Sequence, residues 1–125
     1  MQEQIRLFDA NAEYYTEERC FINELANDAV DPAVSIAQAR VKPGVTTRLH
    51  RLQGITERYV IIAGTGNVTV GSLPAQDVAM GDVVLIPPGC AQRITNTGTG
   101  DLIFLAICSP RFQQNAYEDI DVREP

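Results

Sequence analysis

Short runs of strand-forming residues, closed at regular intervals by turns that contain glycine and proline, dominate this chain. No segment has a convincing helical period with caps. The predicted strands cover residues 19–25, 33–41, 46–52, 57–62, 68–71, 76–79, 83–86, 92–96 and 102–108. A succession of this kind predicts an all-β sandwich or barrel. Residues 83–86 are apolar at every position, which predicts a strand buried on both faces. Residues 64–67 have the composition of a hairpin turn.

Two stretches of the chain place polar side chains at fixed distances from a glycine. Residues 44–64 carry His50 and Glu57, and residues 81–96 carry Gln92. Because side chains alternate across a strand, we expect these three side chains to converge inside the barrel. A buried carboxylate must be paired or coordinated, so the interior should hold a polar site.

These two stretches resemble the two sequence motifs of the cupin family, and the resemblance covers about residues 33–110. The matching positions are Gly44, His50, Glu57 and Gly64 in the first motif, and Gly81, Pro87, Gly89 and Asn96 in the second. The resemblance implies a single-domain jelly-roll β-barrel, the double-stranded β-helix. We expect residues 1–32 to form an N-terminal arm that packs on the barrel or on a partner subunit. Residues 33–110 should form the barrel, and residues 111–125 a C-terminal tail.

The resemblance also implies a metal site, although two of its usual ligands are replaced. The full cupin set of three imidazoles and one carboxylate binds transition metals. Here Leu52 stands in place of one histidine and Gln92 in place of another. The implied ligands are therefore His50, Glu57 and Gln92, and the implied cofactor is nickel, manganese, iron or zinc. One imidazole, one carboxylate and one amide should bind such an ion weakly.

The resemblance to cupins leaves several functions open. One is a divalent-metal-dependent enzyme of dioxygenase, isomerase or lyase type, in which His50 or Glu57 moves a proton and Tyr59 assists. The others are a metal-free module that binds or senses a small molecule, and a metal-independent isomerase with His50 as the base. Arg48 and Leu52 share the strand parity of His50, so we expect both to contact the substrate.

The net charge and the cysteines limit the classes of partner and the cellular compartment that we expect. The net charge of −6 argues against nucleic acid or an anionic membrane surface as a partner. No apolar run is long enough for a membrane span. Three widely spaced cysteines without a pairing pattern indicate a reducing cytoplasm.

We also predict a homodimer. Val60 and Ile62 are apolar on the strand face opposite Glu57, and that outer face needs cover. The arm at residues 13–25 is expected to pair with the sheet edge of the partner.

Overall fold

The computed structural model of the protein describes residues 1–122, and these are built mainly from β-strands. The strands are β1 (Tyr14–Tyr15), β2 (Phe21–Ala26), β3 (Ser35–Val41), β4 (His50–Leu52), β5 (Thr56–Ala63), β6 (Thr65–Val70), β7 (Gln76–Ala79), β8 (Val83–Ile86), β9 (Gln92–Asn96), β10 (Leu102–Ser109) and β11 (Tyr117–Asp119). Two short 3-10 helices, Ala10–Ala12 and Gln114–Ala116, precede β1 and β11. Within residues 1–122, no helix is long and apolar enough to cross a membrane.

The strands form two antiparallel sheets. The six-stranded sheet has the order β1-β2-β3-β10-β5-β8, and the five-stranded sheet has the order β11-β4-β9-β6-β7. Ile61 and Phe104 of the first sheet share one buried core with Val68 and Ile94 of the second, so the sheets enclose the core between them. The predicted jelly-roll class is therefore confirmed.

Alternation of side chains places the polar residues among the apolar core. β5 buries Glu57, Tyr59 and Ile61, while β9 buries Gln92 and Ile94. The parity predicted for these two strands is confirmed. Each strand thus carries core and polar side chains on the same inward face.

The prediction that residues 83–86 are buried on both faces is wrong. Val84 and Ile86 are buried, but Val83 and Leu85 are 55% and 69% exposed. β8 lies at the edge of the six-stranded sheet, and no layer formed by residues 1–122 covers its outer face. Ile62 on the neighbouring strand is also exposed. The homodimer was predicted on the face of Val60 and Ile62, and it stays a prediction.

The N-terminal arm joins the sheet of its own chain. β2 pairs with β3, from Phe21 opposite Arg40 to Ala26 opposite Ile36. β1 pairs with β2 in turn, so the arm extends the six-stranded sheet by two strands. This pairing supplies within one chain the contact that was expected with a partner.

Three further boundaries differ from the sequence prediction. The strand predicted over residues 46–52 is regular only from His50, because Thr46 makes an isolated bridge and residues 47–49 make none. The chain turns tightly enough for β6 to begin at Thr65, inside the predicted hairpin turn. Residues 117–119 of the predicted tail form β11 beside β4. Residues 123–125 of that tail lie outside the described residues.

Gly64 allows β5 and β6 to connect tightly. Its φ is +80°, and a Cβ placed there would lie 2.6 Å from the carbonyl oxygen of Asp101. Gly54 has a similar φ of +72° but open space around it. Substitutions at the two glycines therefore share the cost of the backbone conformation, and only a substitution at Gly64 adds a steric clash.

We expect Gly64→Ala to destabilise the fold more than Gly54→Ala. Both variants place a side chain in the left-handed region, which costs about 1–2 kcal/mol. Gly64→Ala adds a collision with backbone, and overpacking of this kind costs roughly 1–3 kcal/mol more. Urea unfolding of both variants measures the difference in the free energy of unfolding. Equal losses would show that the approach of Asp101 does not constrain the turn.

Candidate functional site

A cavity of about 350 Å³ opens between the six-stranded sheet, β4 and the N-terminal arm. His50, Leu52, Glu57 and Tyr59 line it, and so does Tyr117 on β11. The structure therefore brings together most of the side chains that the sequence singled out. Gln92 does not line the cavity but is fully buried beside it, opposite His50 in the ladder between β4 and β9.

The tautomer of His50 follows from its surroundings. Its Nδ1 lies 2.8 Å from the carbonyl oxygen of Arg48. A carbonyl oxygen accepts but cannot donate, so Nδ1 carries a proton and the lone pair of the neutral tautomer is on Nε2. Tyr117 stacks on the imidazole, with ring centroids 5.1 Å apart. The ring is thus held in one orientation, with Nε2 available as a base.

Glu57 is a buried carboxyl with one unused oxygen. Its Oε2 lies 3.6 Å from the thiol of Cys108, which donates to it, whereas Oε1 has no hydrogen-bond partner among the described residues. Burial raises the pKa of Glu57 from 4.5 to about 7, against an opposing effect of His50. A carboxyl with this pKa exchanges its proton near neutral pH, which suits general acid–base catalysis.

Tyr59 and Gln92 form a buried pair behind Glu57. The Tyr59 hydroxyl donates to Oε1 of Gln92. A hydrogen bond from the amide of Gln92 to the Glu57 carboxyl opposes the rise in the pKa of Glu57. Burial raises the pKa of Tyr59, so its hydroxyl stays protonated and can keep donating. Gln92 thus donates to Glu57 while its carbonyl oxygen accepts from Tyr59.

The predicted ligand set suits a divalent cation poorly. An amide coordinates through its oxygen, and the Tyr59 hydroxyl already uses one of the two lone pairs of the Gln92 oxygen. His50 and Glu57 are the stronger ligands of the predicted set, and Leu52 supplies none. No group of three or more histidine, cysteine, aspartate or glutamate side chains within residues 1–122 is arranged to hold a metal ion.

Glu18 is a cavity residue that sequence reasoning missed. It comes from the turn between β1 and β2, where Arg19 has a φ of +70° and the carbonyl oxygen of Glu18 accepts from the Arg48 amide at 3.1 Å. Burial raises the pKa of Glu18, and His50 acts against that rise. No motif marks this position, because the arm reaches the cavity only through the pairing of β2 with β3.

Arg48 lies outside the cavity. Its Nε donates to Asp119 at 2.8 Å, and its side chain lines an outer groove with Arg93. The parity argument that placed it beside His50 fails because residues 47–49 are not in a strand. Leu52, the other predicted substrate contact, is buried and lines the cavity.

Comparison with known proteins relates the chain to one family and one fold. The sequence model of the family described as "Cupin domain" matches residues 37–108. An uncharacterized protein of Methanocaldococcus jannaschii is 30% identical over 119 residues, which cover 94% of this chain and 92% of that protein.

Solved structures of low identity share the fold. Pac13, a nucleoside dehydratase of Streptomyces, superposes with a TM-score of 0.77 at 12% identity, covering 98% of this chain and 95% of that one. KdgF from Halomonas sp. gives a TM-score of 0.76 at 14% identity, covering 87% of this chain and 96% of that one. Identities this low show the fold alone.

We expect Glu57→Gln to stabilise the protein at neutral and higher pH. The folded pKa of about 7 lies above the unfolded value of 4.5, so the folded state loses stability as Glu57 ionises with rising pH. The amide cannot ionise, and the gain over wild type should grow from near zero at about pH 4.5 to about 3 kcal/mol at about pH 8. Chemical unfolding across this pH range measures it.

Glu118→Gln is the matched control for this prediction. Glu118 pairs with Arg51, and this contact lowers its pKa, so the control should give no gain at high pH. The free energy of unfolding of Glu57→Gln could instead differ from that of wild type by the same amount at both ends of the pH range. That result would contradict the expected cost of ionising Glu57.

Proposed function

This chain belongs to the cupin family, and we propose that it binds a small molecule in the barrel cavity and transfers a proton on it without a resident metal ion. The proposal is carried by Glu57, a buried carboxyl whose pKa burial raises to about 7 and which lies on the wall of the same cavity as His50. A carboxyl that exchanges its proton near neutral pH beside an imidazole is the pairing that general acid–base catalysis uses.

The proposed chemistry divides between two side chains. Nε2 of His50 accepts a proton from the ligand, and the stacked Tyr117 and the Arg48 carbonyl hold the ring in place. Glu57, with a pKa of about 7, supplies a proton to an oxygen of the ligand or takes one up. The pair of Tyr59 and Gln92 fixes the polar wall behind Glu57. Pac13 is a nucleoside dehydratase on the same fold, which supports this class of chemistry by analogy.

Solvent deuterium exchange tests the proton transfer. A thermal-shift screen of small molecules first identifies a ligand, which is then incubated with the protein in D₂O and followed by NMR. We expect wild type to introduce deuterium at a carbon of the ligand. His50→Gln and Glu57→Gln should each slow this exchange by roughly 10²-fold or more, the usual contribution of a positioned acid or base.

Glu118→Gln again provides the control, since Glu118 does not line the cavity. It should exchange deuterium at the wild-type rate. A ligand that wild type binds tightly but neither exchanges nor converts would favour the binding or sensing module over the enzyme.

The metal-dependent enzyme is tested by restoring the histidines of the family motif. We expect wild type to show no change in melting temperature with nickel or manganese, because one imidazole, one carboxylate and one amide bind such ions weakly. The double variant Leu52→His with Gln92→His should bind these ions through added imidazoles. Binding at a hundredfold excess over Kd stabilises the native state by about 2.7 kcal/mol. Stoichiometric metal in freshly purified wild type, lost in His50→Ala, would overturn the metal-free proposal.

A further inference from the structure

The charged side chains around the cavity are almost all of one sign. Four glutamates line it, two at the exposed rim and two further in, and among residues 1–122 no lysine or arginine does. These glutamates are Glu17, Glu18, Glu24 and Glu57. A cleft lined by one sign of charge attracts ligands of the opposite sign and repels those of its own. The cavity therefore disfavours carboxylates and phosphates.

The arginines near this region are engaged elsewhere. Arg40 pairs with Glu13 and Asp101, and Arg48 pairs with Asp119. Arg58 donates to Ser109 at 2.7 Å. None of the three lines the cavity, so no side chain of this group is placed to neutralise an anion there.

Aromatic side chains make up much of the remaining wall. The chain has four tyrosines, and all of them line this cavity. They come from the arm, β5 and β11, and two phenylalanines accompany them. The full set is Tyr14, Tyr15, Tyr59, Phe104, Phe112 and Tyr117. Faces of aromatic rings attract cations, and rings combined with carboxylates are how proteins bind ammonium groups.

Glu57 extends the acidic wall from the rim into the interior of the cavity. Its side chain is 7% exposed, and the Cys108 thiol and the Gln92 amide hydrogen-bond to its carboxyl, yet the residue lines the cavity wall. Glu18 is half-buried and lines the same wall. Acidic side chains inside a cavity, interleaved with aromatic rings, form a lining that complements a positively charged molecule.

We propose that the ligand is an organic cation, a protonated amine or a quaternary ammonium compound, whose charged group lies against Glu18 and the tyrosines of the arm and β11. Its polar remainder then reaches toward Glu57 and His50. This inference rests on the proposed function, because it names the class of molecule that the same cavity takes. It assigns Glu18, which no cupin motif marks, as the residue that selects for positive charge.

Two matched pairs of probes isolate the effect of charge. Choline and 3,3-dimethylbutan-1-ol have the same shape and differ in a charged nitrogen against a neutral carbon. Protonated benzylamine and benzyl alcohol form the second pair. Isothermal titration and NMR of the folded wild-type protein should show at least one cation binding tenfold or more tightly than its neutral counterpart, a difference of about 1.4 kcal/mol.

Variants then assign the binding to this cavity. Glu18→Gln should weaken the bound cation by roughly fivefold or more and leave the neutral probe unchanged. Glu3→Gln makes the same chemical change at an exposed position outside the cavity and should bind as wild type does. Tyr117→Phe keeps the ring and should bind the cation more tightly than Tyr117→Leu, which removes it. Melting curves verify that each variant is folded.

Either of two results would overturn the inference. One is that both neutral probes bind as tightly as the cations. The other is that neither cation binds at 10 mM, while the deuterium-exchange screen finds an uncharged or anionic ligand that depends on His50. The second result would leave the proposed function standing and remove the inference about charge. Cation binding without any proton transfer would leave the inference about charge standing and remove the proposed function.

Discussion

The inward face of β5 is the constraint on which the rest of this structure depends. Side chains alternate across a strand, so the face that contributes Tyr59 and Ile61 to the core must also contribute Glu57. A carboxyl is thereby carried into the barrel by the strand that builds the core. Its burial raises the pKa to about 7, against the opposing effects of His50, Gln92 and Cys108. The properties of the site follow from this one placement.

The N-terminal arm turns a barrel interior into a specific cavity. β2 pairs along β3, and the turn before it places Glu18 on the wall of the same cavity as His50, close enough for the two to interact electrostatically. The arm also brings Tyr14 and Tyr15 to the rim. Each of these side chains would lie far from Glu57 if the arm did not extend the sheet. Three of the four glutamates of the wall and two of its six aromatic residues therefore come from an element that precedes the family motifs in the chain.

The two departures from the cupin motifs change the same region of the barrel. Replacing an imidazole by Gln92 gives the barrel an amide, and Tyr59 then uses the oxygen of that amide as a hydrogen-bond acceptor. The Nε2 group of the same amide is a donor, which suits the neighbouring Glu57 carboxyl. Leu52 in place of the other histidine makes the neighbouring wall apolar. In the proposed function, His50 and Glu57 therefore transfer protons at the positions where the motif would otherwise supply metal ligands.

The sequence by itself determined the fold class, most strand positions, and the convergence of His50 and Glu57. Glycine turns and the two-residue alternation are local properties, so they can be read along the chain. Only the tertiary structure decided the roles of Glu18, Arg48, Gln92 and Tyr117. Glu18 and Tyr117 reach the cavity by strand pairing between distant segments, and Arg48 turns outward where β4 has not yet begun. The atom that Gln92 presents depends on a hydrogen bond from another strand. Long-range pairing and burial are not encoded in any short stretch of residues, which is why these roles appeared only in the folded chain.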